Sequence, residues 1–363
     1  MTNTPENANL CGLNRKDFQT TVNGKKTDLY ILKNRKGYEV AVTNYGGAVE
    51  AIMVPDKDGN IANVIQGYDN INDAINSPEP FRSTLIGRFG NRIKNGQFTL
   101  NGKDYQLACN DGPNALHGGP TGFHVRVWDA KQMGPRSLAL NYTSSYGEEG
   151  FTGECRITVE YTFTDQNELV IEYLATTNKK TIINLTHHAF FSLSGIANPT
   201  ATIEKQLMEI NADFYLPIDN TSIPTGEILK VAGTPFDFRT PKALGDEIDA
   251  DDEQLKNGSG YDHNYVLNKR EEGELSFAAR LTEPVSGRIM EVYTTEPGVQ
   301  LYTDNFGCGN KGQHGATFPR RSAVCLECQH FPDTPNRSYF PSVVLNPGEQ
   351  YKQKTIYRFA VAE

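Results

Sequence analysis

Period-two alternation runs the length of this chain, and a 3.6-residue period hardly appears. Residues 38–43, 155–164 and 168–174 alternate apolar and polar side chains, and 137–143, 287–294 and 353–362 continue the pattern. Successive side chains of a strand point to opposite faces, so these runs predict strands with one buried face. Asn101-Gly102, inside 97–107, supplies the two positive φ values of a type I′ turn and predicts a hairpin. Helical signals are short and confined to 69–77 and 241–255. With 33 glycines and 19 prolines spread throughout, turns are frequent. The reading is all-β: a large sandwich of twisted antiparallel sheets. No Ser/Gly/Pro linker divides it, so residues 18–363 are read as one domain and residues 1–17 as a flexible tail.

Charge narrows the function. A formal net charge of −9, with no basic run, opposes binding to nucleic acid or an anionic membrane surface. No apolar stretch approaches the roughly 20 residues that span a bilayer. The polar N-terminus lacks the apolar core of a signal peptide, so the expected location is cytoplasmic; an exported protein whose signal had been removed would read the same. Six cysteines in a chain this long are read as free thiols. Cys325-x-x-Cys328 has no second pair at zinc-site spacing and lies in an apolar run.

The chemistry-bearing residues are few. His187 and His188 are adjacent, so on a strand they face opposite ways and cannot hold one ion. No His-Glu-x-x-His spacing occurs, and no metal is expected. Gly307-Cys-Gly-Asn-Lys-Gly312 matches a dinucleotide fingerprint, but 313–319 contains Gly315 and Pro319 and cannot open the required helix. It is read as a flexible loop, and no cofactor is expected. A Gly-x-Ser-x-Gly elbow is also absent. Acid–base chemistry is left. Glu327 lies inside an apolar strand, where a carboxylate is either paired with a cation or desolvated into a better base. His117, in Asn114-Ala-Leu-His-Gly-Gly119, and His188 and His263 sit in polar, turn-rich company.

Six segments together resemble the aldose 1-epimerase (galactose mutarotase) family. They are Gly87-Arg-Phe-Gly-Asn-Arg-Ile93, Asn114-Ala-Leu-His-Gly-Gly119, Asn184-Leu-Thr-His-His188, Gly260-Tyr-Asp-His-Asn264, Glu296-Pro-Gly-Val-Gln300 and Leu326-Glu-Cys-Gln-His-Phe-Pro-Asp333, in the family's order over nearly the whole chain. The resemblance implies a β-sandwich with a sugar cleft on one sheet face. It implies interconversion of the α and β anomers of free hexoses, of galactose or glucose type, with Glu327 as general base and His188 as general acid. Asn91, Arg92, His117, Asp262 and Gln300 match positions that hold the sugar. His187 departs from the family, where asparagine is more often expected. The expected partner is a small-molecule aldose, and the expected assembly a monomer or weak homodimer. The pH profile is expected to be a bell with Glu327 on the acid limb and a histidine on the alkaline limb. Three rivals stand: a non-catalytic sugar-binding module, a hexose-6-phosphate 1-epimerase using Arg82, Arg88, Arg320 and Arg321, and a glycoside hydrolase or lyase using Glu327 with Asp262.

Overall fold

The computed structural model describes residues 9–198 and 202–362. A nine-stranded antiparallel sheet is its backbone, in the order Asp129–Gln132, Ser137–Ser144, Cys155–Phe163, Glu168–Thr177, Tyr351–Val361, Arg288–Thr294, Ser276–Thr282, Leu207–Ile210, Lys242–Ala243. The alternating runs form its centre. In Cys155–Phe163 the residues Cys155, Ile157, Val159, Tyr161 and Phe163 are buried, with the intervening side chains more exposed. That face packs against two smaller antiparallel sheets. One holds Leu29–Lys33, Glu39–Thr43, Val49–Pro55 and Ile61–Asn63. The other holds Leu229–Lys230, Phe214–Tyr215, Asp262–Val266, Gly298–Tyr302 and Cys325–Gln329. Val299, Leu301, Leu326 and Cys328 of the latter join the same core as Ile157, Tyr161 and Tyr357. Burying these apolar faces is the main driving force for the sandwich. Tyr357 and Gln353 stitch the layers, donating to the carbonyls of Leu326 and Cys328 at 3.0 Å each.

The hairpin forms as expected, Gln97–Leu100 against Lys103–Gln106 with Asn101 at φ 53° and Gly102 at φ 70°. The helical signals shrink to Ile71–Ile75 and Glu253–Gly258, each N-capped by a side chain, Asn70 and Asp252 respectively. All six cysteines are unpaired.

Two expectations are corrected. From Asn9 onward the supposed tail is packed: Cys11 and Leu13 are buried with Phe18 against Leu29, Ala51 and Ile71, and the Leu10 amide donates to Glu39 at 2.6 Å. A short apolar signal there is satisfied only by partners distant in sequence, and residues 1–8 lie outside the described residues. The 307–312 loop is part of a hairpin, Cys308–Lys311 against Thr317–Pro319. Its tip is fastened: Gln313 donates to the carbonyls of Glu50 and Tyr68 at 2.7 and 3.0 Å, and a His314 ring nitrogen meets the Cys11 carbonyl at 3.0 Å.

Candidate active site

Strand register assembles the site. In the five-stranded sheet Asn264 pairs with Gln300 and Gln300 with Glu327, while Asp262 pairs with Tyr302 and Tyr302 with Cys325. These two rows share a face; Val299, Leu301, Leu326 and Cys328 occupy the core face. Beyond Cys325 the sheet is joined by the segment carrying the two histidines. Phe191 and Val324 exchange backbone hydrogen bonds at 2.9 and 2.8 Å. Counting three residues each way from that antiparallel pair brings residue 188 opposite residue 327. His188 Nε2 indeed lies 3.6 Å from Glu327 Oε1. His187 faces the other way, with its ring 6.0 Å from Tyr161 in the core.

Two turns bring in the remaining groups. Asn91 at φ 65° and His117 at φ 52° flank the short pairing of Arg92–Ile93 with Ala115–Leu116. The Asn91 amide donates to His117 Nδ1 at 3.1 Å, and the His117 amide to the Asn91 carbonyl at 3.1 Å. A Cβ at Gly118 would meet the Gly87 carbonyl oxygen at 2.0 Å, so only glycine lets these turns approach. On Asp262 converge Arg92 Nη1 at 3.6 Å and the Gln300 amide at 2.7 Å, and Arg92 Nε also donates to Asp111 at 2.7 Å.

Burial sets the electrostatics. Glu327 is 2 %, His117 5 % and His188 6 % exposed. Desolvation, with the charge of Asp262 adding to it, pushes the Glu327 carboxyl well above its usual range against the pull of Arg92. The same burial pulls His188 down to about 3, helped by the positive charges of Arg82 and Arg92. His117 is likewise lowered well below its ordinary value by burial and by its neighbour His188. Glu327 Oε2 and Gln300 Oε1 are buried without a hydrogen-bond partner in the protein. Such groups are costly unless a ligand satisfies them.

All seven residues singled out from sequence for this site are brought together, whereas His263 is not: it faces the core with its ring 4.5 Å from Phe236. Its Nδ1 accepts the Asp262 amide at 3.1 Å. The arginines of the phosphate reading do not converge. Arg88 is occupied by the carbonyls of Thr152 and Gly153 and by Ser144, Arg321 by Asp249 and Glu204, and Arg320 by the carbonyls of Asn305 and Ser259. Glu327, His117 and His188 each place a ligand atom within 4.8 Å of the others, close enough to share an ion. However, His117 Nδ1 already accepts a hydrogen bond, which puts its proton on Nε2 and leaves that nitrogen a donor and not a metal ligand. The aromatic walls, Phe81 and Phe190, and the Asp111 partner of Arg92 carry no sequence signal. A groove of about 1130 Å³ lies elsewhere, over Glu160, Glu172, Lys352 and Lys354, and includes none of the seven.

Fold and site together define an all-β sandwich with a polar cleft, holding a buried carboxylate–imidazole pair, on one face of its five-stranded sheet. Residues 28–358 match the family described as aldose 1-epimerase. Galactose mutarotase of Bos taurus is 41 % identical over 324 residues, covering 89 % of this chain and 91 % of that one. Aldose 1-epimerase of Escherichia coli K12 is 33 % identical over 93 % of this chain and 96 % of its own length. A solved aldose epimerase homologue from C. elegans superposes with a TM-score of 0.85 at 30 % identity, covering 93 % of this chain and all of that one. The chain belongs to the aldose 1-epimerase family.

Proposed function

We propose that this chain interconverts the α and β anomers of free hexoses of galactose or glucose type, with Glu327 and His188 moving the protons. The observation that carries this reading is the pair itself: a carboxylate and an imidazole 3.6 Å apart, both buried, with one carboxylate oxygen unpartnered. A closed aldose is a hemiacetal. Opening it takes the proton from the anomeric hydroxyl and delivers one to the ring oxygen; the C1–O5 bond breaks and a C1 carbonyl forms. Rotation about C1–C2 and closure from the other face reverse both transfers.

The proton count suits the pair. With the sugar closed, Glu327 is a carboxylate and His188 an imidazolium; with the chain open, Glu327 holds the proton and His188 is neutral. Both states carry one proton in total. The ligand-free electrostatics favour the second, because burial disfavours each charged form. His117, with Nε2 as donor, is placed to stabilise charge at the ring oxygen. Arg92, Asp262, Asn91 and Gln300 hold the hydroxyls through charge-assisted and amide hydrogen bonds. Positioned proton transfer of this kind contributes about 10²–10⁴-fold.

Polarimetry of freshly dissolved α-galactose and α-glucose tests this directly. Rotation decays faster with the protein than without it, in proportion to protein added. Sugar binding by calorimetry with no acceleration would instead identify a non-catalytic carbohydrate module.

A further inference from the structure

His188 is stacked between rings, and one of those rings leads to a buried cation. The Phe190 ring lies 4.9 Å from His188 at 18°, and Phe81 lies 6.3 Å away at 20°. The Arg82 guanidinium carbon sits 4.7 Å from the Phe190 centroid and 4.7 Å from that of Phe318. Phe318, Arg82, Phe190, His188 and Phe81 thus form one unbroken series of contacts, from the hairpin to the proposed acid. Arg82 is 3 % exposed. Its Nε donates to the Tyr68 hydroxyl at 3.1 Å and its Nη1 to Gln66, whose amide donates to Ser322 at 2.8 Å. Among the described residues no carboxylate oxygen comes within 4.0 Å of it; Glu79 and Asp304 act on it from farther off. A guanidinium buried on two aromatic faces, with no direct counter-ion, is an expensive arrangement in an ordinary core.

We propose that Arg82 is a positioning residue for anomer interconversion, acting on His188 through the Phe190 ring and clamped in place by Phe318 of the hairpin. The planar guanidinium fixes the plane of Phe190, and Phe190 with Phe81 fixes the plane of His188 against Glu327. The charge has a second effect. The groups that face His188 are Glu327, His117, Tyr302, Arg92 and Arg82, with His187 adjacent. Of these Arg82 and Arg92 are permanent cations that disfavour an imidazolium, so Arg82 helps keep the second proton off the pair. Arg92 also holds Asp262, whereas Arg82 touches no residue of the proposed sugar-binding set; it is the cation that can be removed without disturbing recognition.

The inference rests on His188 exchanging a proton with the sugar, and the test separates the two. kcat and KM are measured by polarimetry against pH for R82M, R82K, F318L and H188N, with melting curves for each. R82M should lose kcat by about 10-fold, as expected for a displaced reacting group, with KM within about two-fold. Its low-pH limb should move up by about one unit, because a nearby like charge is gone. R82K keeps the charge and the limb, but not the planar stack, and recovers kcat only in part. F318L keeps the limb and loses kcat to a smaller extent. If R82M leaves both kcat and limb at wild-type values, the proposal fails. Should R82M not fold, wild-type kcat in both R82K and F318L overturns it equally. If H188N turns over at the wild-type rate, the functional reading itself has failed, whatever Arg82 does.

Discussion

Arg92 and His188 belong to one site, yet their surroundings differ in kind. Arg92 is paired twice, with Asp111 at 2.7 Å and Asp262 at 3.6 Å, and Asp262 also takes the Gln300 amide. His188 is walled by Phe81, Phe190 and Tyr302, and the carboxylate facing it has an oxygen with no partner. The first environment gives its buried charges partners, which suits hydroxyl recognition, although burial outweighs the pull of Arg92 and still raises the Asp262 carboxyl. The second withdraws water from the two groups proposed to trade a proton, and so favours the neutral form of each. On the proposed reading, recognition wants its buried charges partnered and reaction wants an oxygen left open, and the two environments lie within a few residues of each other.

Breaking the reaction side should cost most. Glu327→Gln keeps shape and hydrogen-bonding capacity but cannot accept the anomeric proton; turnover measured by polarimetry should fall by about 10³–10⁴-fold, while calorimetric sugar affinity changes little. Near-normal turnover would remove Glu327 from the mechanism. His188→Asn retains a donor without an exchangeable ring proton, and a loss of about 10²–10³-fold is expected. On the recognition side Asp262→Asn should act on KM, raising it about 10-fold with kcat kept within about three-fold. A fall in kcat as large as that of Glu327→Gln would assign Asp262 to the chemistry, as in the two-carboxylate reading.

The smallest effect sharpens the contrast most. The sequence suggests Glu327 on the acid limb of the pH profile; the burial found here reverses that assignment. Below the lower limb both groups are protonated and no base remains; above the upper limb neither is, and no acid remains. His188, pulled to about 3, supplies the lower limb, and Glu327, raised by desolvation, the upper. Turnover should therefore not fall on acidifying from pH 7 to pH 5, since the carboxyl raised by burial is then the group lost on the alkaline side. A one-proton fall on acidifying through that window would return Glu327 to the acid limb.

The alternating runs made the central strands of the large sheet legible, because half-buried strands advertise their period. Fully buried strands do not: Cys325–Gln329 and Gly298–Tyr302 are buried on both faces, and short apolar runs, 323–326 and 299–303, marked them instead of a period. Residues that touch the proposed sugar site were readable through short motifs. Those that hold them were not. Asp111, Phe81, Phe190 and Arg82 look like ordinary loop or core residues, and their part depends on which segments the fold brings alongside. The packing of Cys11 and Leu13 was hidden for the same reason, since it rests on the Phe18, Ala51 and Ile71 surface.

The adjacency of His187 and His188 makes the site sensitive to register. They occupy the two sides of one extended segment, and the pairing of Phe191 with Val324 decides which of them meets Glu327. A one-residue deletion between His188 and Phe191 would swap them, turning the His188 imidazole into the apolar core and bringing His187 opposite Glu327. The length of this short connector therefore decides which imidazole the carboxylate meets.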